Sequence, residues 1–279
     1  MTVFNRYRVK KEVHLYGIGL HSGKPCTLSL YPCKPRGIYF RFGQALWNLT
    51  DGSPRGDGRG TVLSFPDGNG VMTVEHLLGA LRGLGIDGVE IVVTGGEVPA
   101  MDGSAAPFVH SLLEVGLSES EAWDPIELDR PVAVDDLDGD RSIIALPWEG
   151  FKVTYVIDYP STVIGTQCLS IALSRDNFIR EIAPCRTFAL MEEIAFLRDR
   201  GLSLGGSLDN AVVVDGMEVS AKEGLRFTDE FVRHKILDLI GDLSLLGRPL
   251  SAHVIALKAG HLMHHRLGET IRQNIKRSE

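Results

Sequence analysis

The sequence lacks several features that would place it in a common functional class. Its four cysteines, Cys26, Cys33, Cys168 and Cys185, form no CxxC pair, which argues against a thiolate zinc site and favours reduced, mostly buried thiols. There is no P-loop, no GxGxxG followed by a ribose-binding acid and no GxSxG motif. Any metal chemistry must therefore use histidines and carboxylates.

Basic charge and long apolar runs are also missing. The formal charge is −7, from 29 basic and 36 acidic residues, whereas nucleic-acid-binding proteins are usually basic. No apolar run reaches the roughly 18 residues of a membrane span, and residues 1–11 lack the apolar core of a signal peptide. We therefore expect a cytoplasmic protein with no nucleic-acid partner and no transmembrane segment.

What is present indicates an ordinary globular chain. Its 279 residues, 44% of them hydrophobic, suffice for one large domain or two smaller ones with real cores. Residues 47–70 and 117–126 have the composition of a loop and a linker, and Thr73 is positioned to cap a helix. Helices are predicted near 74–84, 104–113, 174–182, 190–200, 229–246 and 264–277. Because strands precede helices in both halves, the order predicts two α+β layers of similar plan.

One helical stripe carries an unusual set of polar residues. His234, Asp238 and Asp242 follow one another at intervals of four, so they share one helix face. The residues between them are mainly apolar, including Leu237 and Ile240, and suit a buried helix. A histidine and a carboxylate at this spacing can bind one metal ion.

Two further segments complete a candidate site. His76 lies early on a predicted helix, and His261 follows a predicted strand and a glycine. Each has an ordinary alternative, since His76 or His261 alone suits a satisfied histidine and Asp238 alone suits a solvated face or a cap. Together, His76, His234 and Asp238 would supply the three protein ligands of a catalytic zinc, which keeps one position open for water.

The remaining groups suit hydrolysis. Glu75 adjoins a ligand and can act as general base, while His261 can protonate a leaving amine. Asp242 can fix the tautomer of His261 and favour its imidazolium form. Thr187 can stabilise an oxyanion, although a local backbone hydrogen bond is the simpler interpretation. The cluster 261–265, with histidines at i, i+3 and i+4, suits either a metal site or exposed helix histidines.

Seven ordered motifs resemble one known family, the zinc-dependent UDP-3-O-acyl-N-acetylglucosamine deacetylases (LpxC family) of lipid A synthesis. The resemblance extends from Gly17-Ile-Gly-Leu-His-Ser-Gly23 to about Leu267. The motifs are Thr73-Val-Glu-His-Leu-Leu, Gly85-Ile-Asp, Pro99-Ala-Met-Asp-Gly-Ser-Ala, Arg186-Thr-Phe, Leu204-Gly-Gly-Ser, Asp229-Glu-Phe-Val-Arg-His-Lys-Ile-Leu-Asp-Leu-Ile-Gly-Asp and Lys258-Ala-Gly-His.

The resemblance implies roles for individual residues. The implied metal ligands are His76, His234 and Asp238, and the implied catalytic residues are Glu75 as base, His261 as acid, Asp242 as its support and Thr187 at the oxyanion. Phe188 and Lys235 would contact substrate. The further implied substrate-binding residues, several of them walls of an acyl-chain passage, are Ile194, Leu197, Leu202, Gly206, Ser207, Ala211 and Val213.

The resemblance also implies a fold and a reaction. The implied fold is α+β with two domains, residues 1–122 and 123–279, each a sheet layered with helices and packed with the helices between the sheets. A strand–helix–strand insert would lie near 189–217 in the second domain. The implied reaction removes the N-acetyl group from a UDP-linked acylated amino sugar and releases acetate. The cofactor would be Zn²⁺, although the ligand set also suits Fe²⁺, and the protein would be a monomer.

Two other functions remain open at the level of sequence. One is a related hydrolase that acts on another acylated amine through the same metal centre. The other is a non-catalytic protein in which the zinc is structural, although a structural site needs neither Glu75 nor His261.

Overall fold

The computed structural model describes residues 5–55, 59–136 and 139–278. The part of the predicted 47–70 loop at residues 56–58 lies outside them. In the first half the elements are β1 Arg6–Val9, β2 Val13–Ile18, β3 Pro25–Pro32, β4 Ile38–Phe42, β5 Ala45–Asn48, β6 Ser53–Arg55, β7 Val62–Ser64, β8 Gly70–Val71, α1 Glu75–Gly83, β9 Val89–Thr94, α2 Ala106–Glu114 and β10 Leu117–Ser120.

The second half follows a similar order of strands and helices. Its elements are β11 Ile126–Glu127, β12 Val132–Asp135, β13 Ser142–Pro147, β14 Phe151–Tyr159, β15 Gly165–Ala172, α3 Arg175–Asn177, β16 Phe188–Leu190, α4 Met191–Asp199, β17 Val212–Asp215, β18 Glu218–Ser220, α5 Glu230–Leu243, β19 Leu250–Leu257 and α6 His261–Ser278. A π-helix, Phe178–Ile182, continues α3, and 3₁₀ turns lie at Leu49–Asp51 and Ser244–Leu246.

Each half contains one larger sheet with a buried face. The first has the strand order β2-β3-β9-β4-β5, and the second has β12-β13-β19-β14-β15 with β11 paired to β19. Strand β3 alternates, with Cys26, Leu28 and Leu30 buried, and β14 alternates through Tyr155. This period of two places one face of each sheet against the helices. The α+β prediction is confirmed, whereas the division at residue 122 stays a prediction.

Helix α5 lies at the centre of the packing. Almost all of its residues are buried, because α1 packs on one side of it and β14, β15 and α6 on others. A helix that is apolar on several faces is expected in such a position. The three polar residues of its stripe are therefore buried as well, at 2% exposure each.

Several local expectations are wrong. Residues 47–70 contain β6, β7 and β8, which form a small antiparallel sheet, and residues 117–126 begin with β10, which pairs with β1. Thr73 does not cap α1, since its hydroxyl donates to Glu97 at 2.8 Å. Strands β6 to β8 pair with one another and β10 pairs with β1, and composition alone does not reveal either pairing.

A strand–helix–strand unit is present where the insert was expected. Strands β16 and β17 pair in parallel, and α4 connects them and packs on both. β18 adds an antiparallel edge beside β17. The unit begins at Phe188, the residue that follows Thr187 of the candidate site.

Candidate metal centre and catalytic site

Three predicted ligands meet where α1 and α5 pack. His76 is the second residue of α1, and His234 and Asp238 lie on successive turns of α5. One potential ligand atom from each lies within 4.8 Å of the others, and all three side chains are buried. Asp238 Oδ1 is 3.6 Å from His76 Nε2 and 3.3 Å from His234 Nε2. Tertiary packing thus assembles the predicted set from two helices.

Glycines allow the two helices to approach closely. A Cβ atom on Gly79 of α1 would lie 2.7 Å from Leu237 Cδ1, and one on Gly241 of α5 would lie 2.0 Å from the carbonyl oxygen of Glu75. Such separations are below van der Waals contact, so larger residues would force the helices apart. The short approach brings His76 to the stripe of α5.

The three side chains suit a divalent cation. Asp238 Oδ1 is buried and has no hydrogen-bond partner among the described residues, which is costly for a carboxylate without a cation. His234 Nδ1 lies 3.0 Å from the Cys185 carbonyl, which only accepts, so Nδ1 is the donor and Nε2 faces Asp238 unprotonated. Burial lowers the pKa of His234 to about 4, which keeps its ring in the neutral form that ligates metals.

Glu75 is held beside this cluster. It is 3% exposed, and its Oε2 accepts the backbone N–H of Thr61 at 3.1 Å. A Cβ atom on Gly60 would lie 3.1 Å from the other carboxylate oxygen, Oε1. The carboxylate therefore has one anchored oxygen and one directed toward a residue without a side chain.

His261 and Asp242 form a buried pair on the other side of Asp238. His261 is the first residue of α6, and its Nδ1 donates to Asp242 Oδ2 at 2.7 Å. Its Nε2 lies 3.8 Å from Asp238 Oδ2. Burial lowers the pKa of His261, but the carboxylates of Asp242 and Asp238 outweigh it and raise the pKa to about 9. The His261 ring is therefore in its cationic imidazolium form at neutral pH.

Three residues that were not assigned roles also contact Asp242. His264 Nδ1 lies 2.8 Å from Oδ2, while the Thr61 hydroxyl donates to Oδ1 at 2.5 Å and His265 Nε2 lies 3.3 Å from it. His264 is fully buried, so the interpretation of 261–265 as exposed helix histidines is wrong. The i, i+3, i+4 spacing was the only signal, and it does not say which helix face is buried.

His264 extends this network to Tyr155. Its Nε2 lies 3.0 Å from the Tyr155 hydroxyl, which also lies 2.7 Å from the Ala259 carbonyl. Because a carbonyl only accepts, the Tyr155 hydroxyl donates its single proton to Ala259. Asp242 and Tyr155 thus hold the two ring nitrogens of His264 in place.

The segment with Thr187 is fastened to the start of α5. Arg186 Nε donates to Glu230 Oε1 at 2.8 Å and its Nη2 to Oε2 at 3.1 Å, and both residues are buried. The Thr187 backbone N–H donates to Gly103 at 2.8 Å, and its carbonyl accepts from Val212 at 2.9 Å. Thr187 is two residues along the chain from Cys185, whose carbonyl orients His234.

Phe188 and Lys235 lie near each other, beside His234 and Asp238. The Phe188 ring centroid is 6.5 Å from that of His234, and Lys235 Nζ is 5.9 Å from the Phe188 centroid. Lys235 Nζ also donates to Asp238 Oδ2 at 2.7 Å. Burial lowers the pKa of Lys235, but Asp238 outweighs it and raises the pKa to about 12, so the ammonium stays charged.

The predicted passage residues all lie in or next to the insert. Leu197 and Ala211 are buried, Ser207 is exposed, and Ile194, Leu202, Gly206 and Val213 are half-buried. Exposed apolar side chains accompany them, among them Met191, Phe196 and Leu204. Their role as an acyl-chain passage stays a prediction.

Comparison with known proteins places this chain in a family. The family model described as UDP-3-O-acyl N-acetylglycosamine deacetylase, LpxC, matches residues 6–273. The chain belongs to the LpxC family. Its members are metal-dependent enzymes that hydrolyse amides.

Individual LpxC relatives are similar over almost the whole chain. A UDP-3-O-acyl-N-acetylglucosamine deacetylase of Nitratidesulfovibrio vulgaris is 42% identical over 97% of this chain and 88% of its own length. Proteins of the same name from Acidithiobacillus ferrooxidans and Chlamydia pneumoniae are 45% and 44% identical, over 90% and 94% of this chain and 84% and 95% of their own lengths.

Of the helices within residues 5–55, 59–136 and 139–278, none combines the length and the hydropathy needed to cross a bilayer.

Proposed function

We propose that this chain removes the N-acetyl group of a UDP-3-O-(3-hydroxyacyl)-N-acetylglucosamine by hydrolysis, which is the committed step of lipid A biosynthesis. The observation that carries the proposal is the convergence of three side chains that could hold a metal ion, a buried carboxylate and a histidine hydrogen-bonded to Asp242 at one junction of α1, α5 and α6. The names of the relatives supply the substrate.

His76, His234 and Asp238 are the residues that would hold the metal, which we propose to be Zn²⁺, with Fe²⁺ as the other ion that suits this set. When bound, such an ion supplies Lewis acidity and lowers the pKa of water. Asp238 keeps its unpaired Oδ1 directed at both imidazoles, while Lys235 neutralises part of its charge through Oδ2.

Glu75 and His261 would divide the proton transfers. Glu75 accepts a proton from water as the water oxygen attacks the acetyl carbonyl carbon. His261 donates its Nε2 proton to the sugar nitrogen as the C–N bond breaks, and the products are acetate and the free amine. Asp242 stabilises the imidazolium before transfer, and Thr187 is proposed to donate its hydroxyl proton to the developing oxyanion.

The remaining predicted residues would bind substrate. Phe188 presents an aromatic face beside His234, and Lys235 presents a charge suited to an anionic group. The acyl chain would extend along the strand–helix–strand insert, whose apolar side chains surround α4 and β17. We further propose that the chain divides near residue 122 and acts as a monomer in the cytoplasm, where nucleotide-linked sugars are made.

Acetate release from UDP-3-O-(3-hydroxymyristoyl)-N-acetylglucosamine tests the proposal. Purified protein should release acetate, lose activity with a chelator and regain it when Zn²⁺ is added back. Turnover of an acylated amine that lacks UDP or the acyl chain at an equal rate would indicate the related hydrolase instead. Bound zinc without turnover on any acyl length would indicate the non-catalytic alternative.

A further inference from the structure

A cavity of about 580 Å³ opens between β6 and α6, and its lining includes Asp242 and the proposed catalytic acid His261. Gly60, Asp242 and His261 line it, and so do three arginines, Arg55, Arg266 and Arg272. We call this cavity the arginine pocket. Gly60, which adjoins Glu75, and His261, the proposed acid, both line the arginine pocket.

The charges of the arginine pocket suit an anion. Arg55 and Arg266 are exposed, and neither has a carboxylate within 4.0 Å in the described part of the chain. Arg272 is half-buried, with its Nη2 donating to the Leu245 carbonyl at 2.6 Å. Unpaired cations grouped in one cleft raise the local concentration of anions, and this grouping occurs on a chain whose net charge is −7.

Two acidic residues also line the arginine pocket. The Asp242 carboxylate is hydrogen-bonded to His261, His264 and Thr61, so these side chains compensate its charge. Glu269 is exposed, and its Oε1 accepts from Gln273 at 3.3 Å. Glu269 is then the one carboxylate of the lining that faces three guanidinium groups without a cationic partner among the described residues, so the lining is positive on balance.

The arginine pocket lies away from the proposed substrate contacts. Neither Phe188 nor Lys235 lines it, and no residue of the strand–helix–strand insert does. In the proposed reaction the acyl chain would remain along the insert, and the substrate would stay in contact with Phe188, after the C–N bond breaks. The small product formed behind them therefore needs another way out.

Gly60 leaves space between Glu75 and the arginine pocket. A Cβ atom on Gly60 would lie 3.1 Å from Glu75 Oε1 and 3.2 Å from His21 Nε2, so a longer side chain would occupy the gap between the catalytic carboxylate and the pocket. Because residue 60 is a glycine, no side chain of this residue fills the gap between Glu75 and the arginine pocket.

We propose that the arginine pocket is a binding subsite and exit for the short carboxylate that the hydrolysis releases. This inference rests on the proposed deacetylation. An acetate ion formed between Glu75 and His261 enters past Gly60 and is drawn outward by Arg266, Arg272 and Arg55. The nucleotide diphosphate is the other anion of the reaction, and its binding here is the competing outcome of the test.

Product inhibition by acetate tests the subsite in the active enzyme. The double variant Arg55→Gln/Arg266→Gln should raise the acetate inhibition constant about fivefold, because two solvent-exposed charge contacts are lost. Arg130→Gln is the matched control, since Arg130 is exposed and lies outside the pocket. An inhibition constant equal to that of Arg130→Gln would overturn the proposal. Absence of turnover in the unmodified protein would instead reject the proposed deacetylation.

Direct binding separates the arginine pocket from the metal. Saturation-transfer NMR with acetate on chelator-treated protein should show saturable binding that weakens in the double variant but not in Arg130→Gln. Acetate binding that is unchanged in the double variant would overturn the proposal. So would displacement of acetate by UDP in the unmodified protein together with loss of UDP binding in the double variant, which would assign the pocket to the nucleotide.

Discussion

Gly241 of α5 lies so close to Glu75 of α1 that a methyl group at position 241 would sit 2.0 Å from the Glu75 carbonyl oxygen. This contact sets the distance between the helix that bears His76 and the helix that bears His234 and Asp238. The geometry of the metal centre therefore depends on a residue that has no side chain and no chemical role.

Replacing Gly241 tests this dependence. Gly241→Ala should destabilise the fold by about 1–3 kcal/mol through overpacking and should weaken zinc binding, because α1 must move away from α5. Urea unfolding and metal titration measure the two effects. Gly268→Ala is the control, since its Cβ would meet nothing closer than 3.9 Å and alanine favours a helix. Equal zinc affinity in both variants would contradict the explanation.

Separate substitutions of His76 and Glu75 test the assignment of His76 as a metal ligand and of Glu75 as the general base. His76→Ala should lose the metal, whereas Glu75→Gln should keep the metal and lower kcat by about 10²–10⁴-fold, because only the proton acceptor is lost. Glutamine retains an oxygen for the Thr61 N–H, so the local fold is preserved. Bound zinc measured by mass spectrometry, together with acetate release, distinguishes them. Normal zinc content in His76→Ala would show that the ligand set is wrong.

His264 is predicted to position Asp242. His264→Ala should lower kcat by about tenfold with zinc content and KM little changed, because Asp242 Oδ2 loses one of its two imidazole donors. His264→Asn should restore part of the rate, since an amide also donates to a carboxylate. His110→Ala, at a site on α2 whose side chain is 82% exposed, is the control. A loss of zinc equal to the loss of rate would indicate a structural role instead.

The pair His261–Asp242 predicts an alkaline limit to activity. The pKa of His261 is raised to about 9, so the protonated acid is present below that pH and is lost as pH rises through it. Asp242→Asn removes the carboxylate that raises this pKa, and the alkaline limb of the kcat/KM profile should move to lower pH. An alkaline limb at the same pH in both proteins would show that another group limits the rate.

The sequence and the structure agree best where the pattern is local. The spacing of His234, Asp238 and Asp242 predicts a shared helix face, and all three lie on one buried stripe of α5. The agreement fails for the short strands. Strands β6 to β8 pair with one another and β10 pairs with β1, although the composition of these segments is that of a loop and a linker.

Thr61 and His264 show the same limit within the site. Thr61 belongs to a stretch with loop composition, yet its amide holds Glu75 and its hydroxyl holds Asp242. His264 belongs to a polar cluster that reads equally well as exposed or buried. The Thr61 contacts depend on how the segment before β7 packs on α1 and α5, and the contact of His264 with Asp242 depends on which face of α6 meets α5, so the sequence alone did not predict them.

By itself the sequence determined which side chains share the face of α5, because the period of a helix is a property of the backbone alone. It also determined, through its motifs, the family to which the chain belongs. Only the tertiary structure decided that His76 reaches Asp238, that four side chains meet at Asp242, and that a positive cavity opens behind His261. Each of these depends on the distance between packed elements, which glycines and core side chains set together.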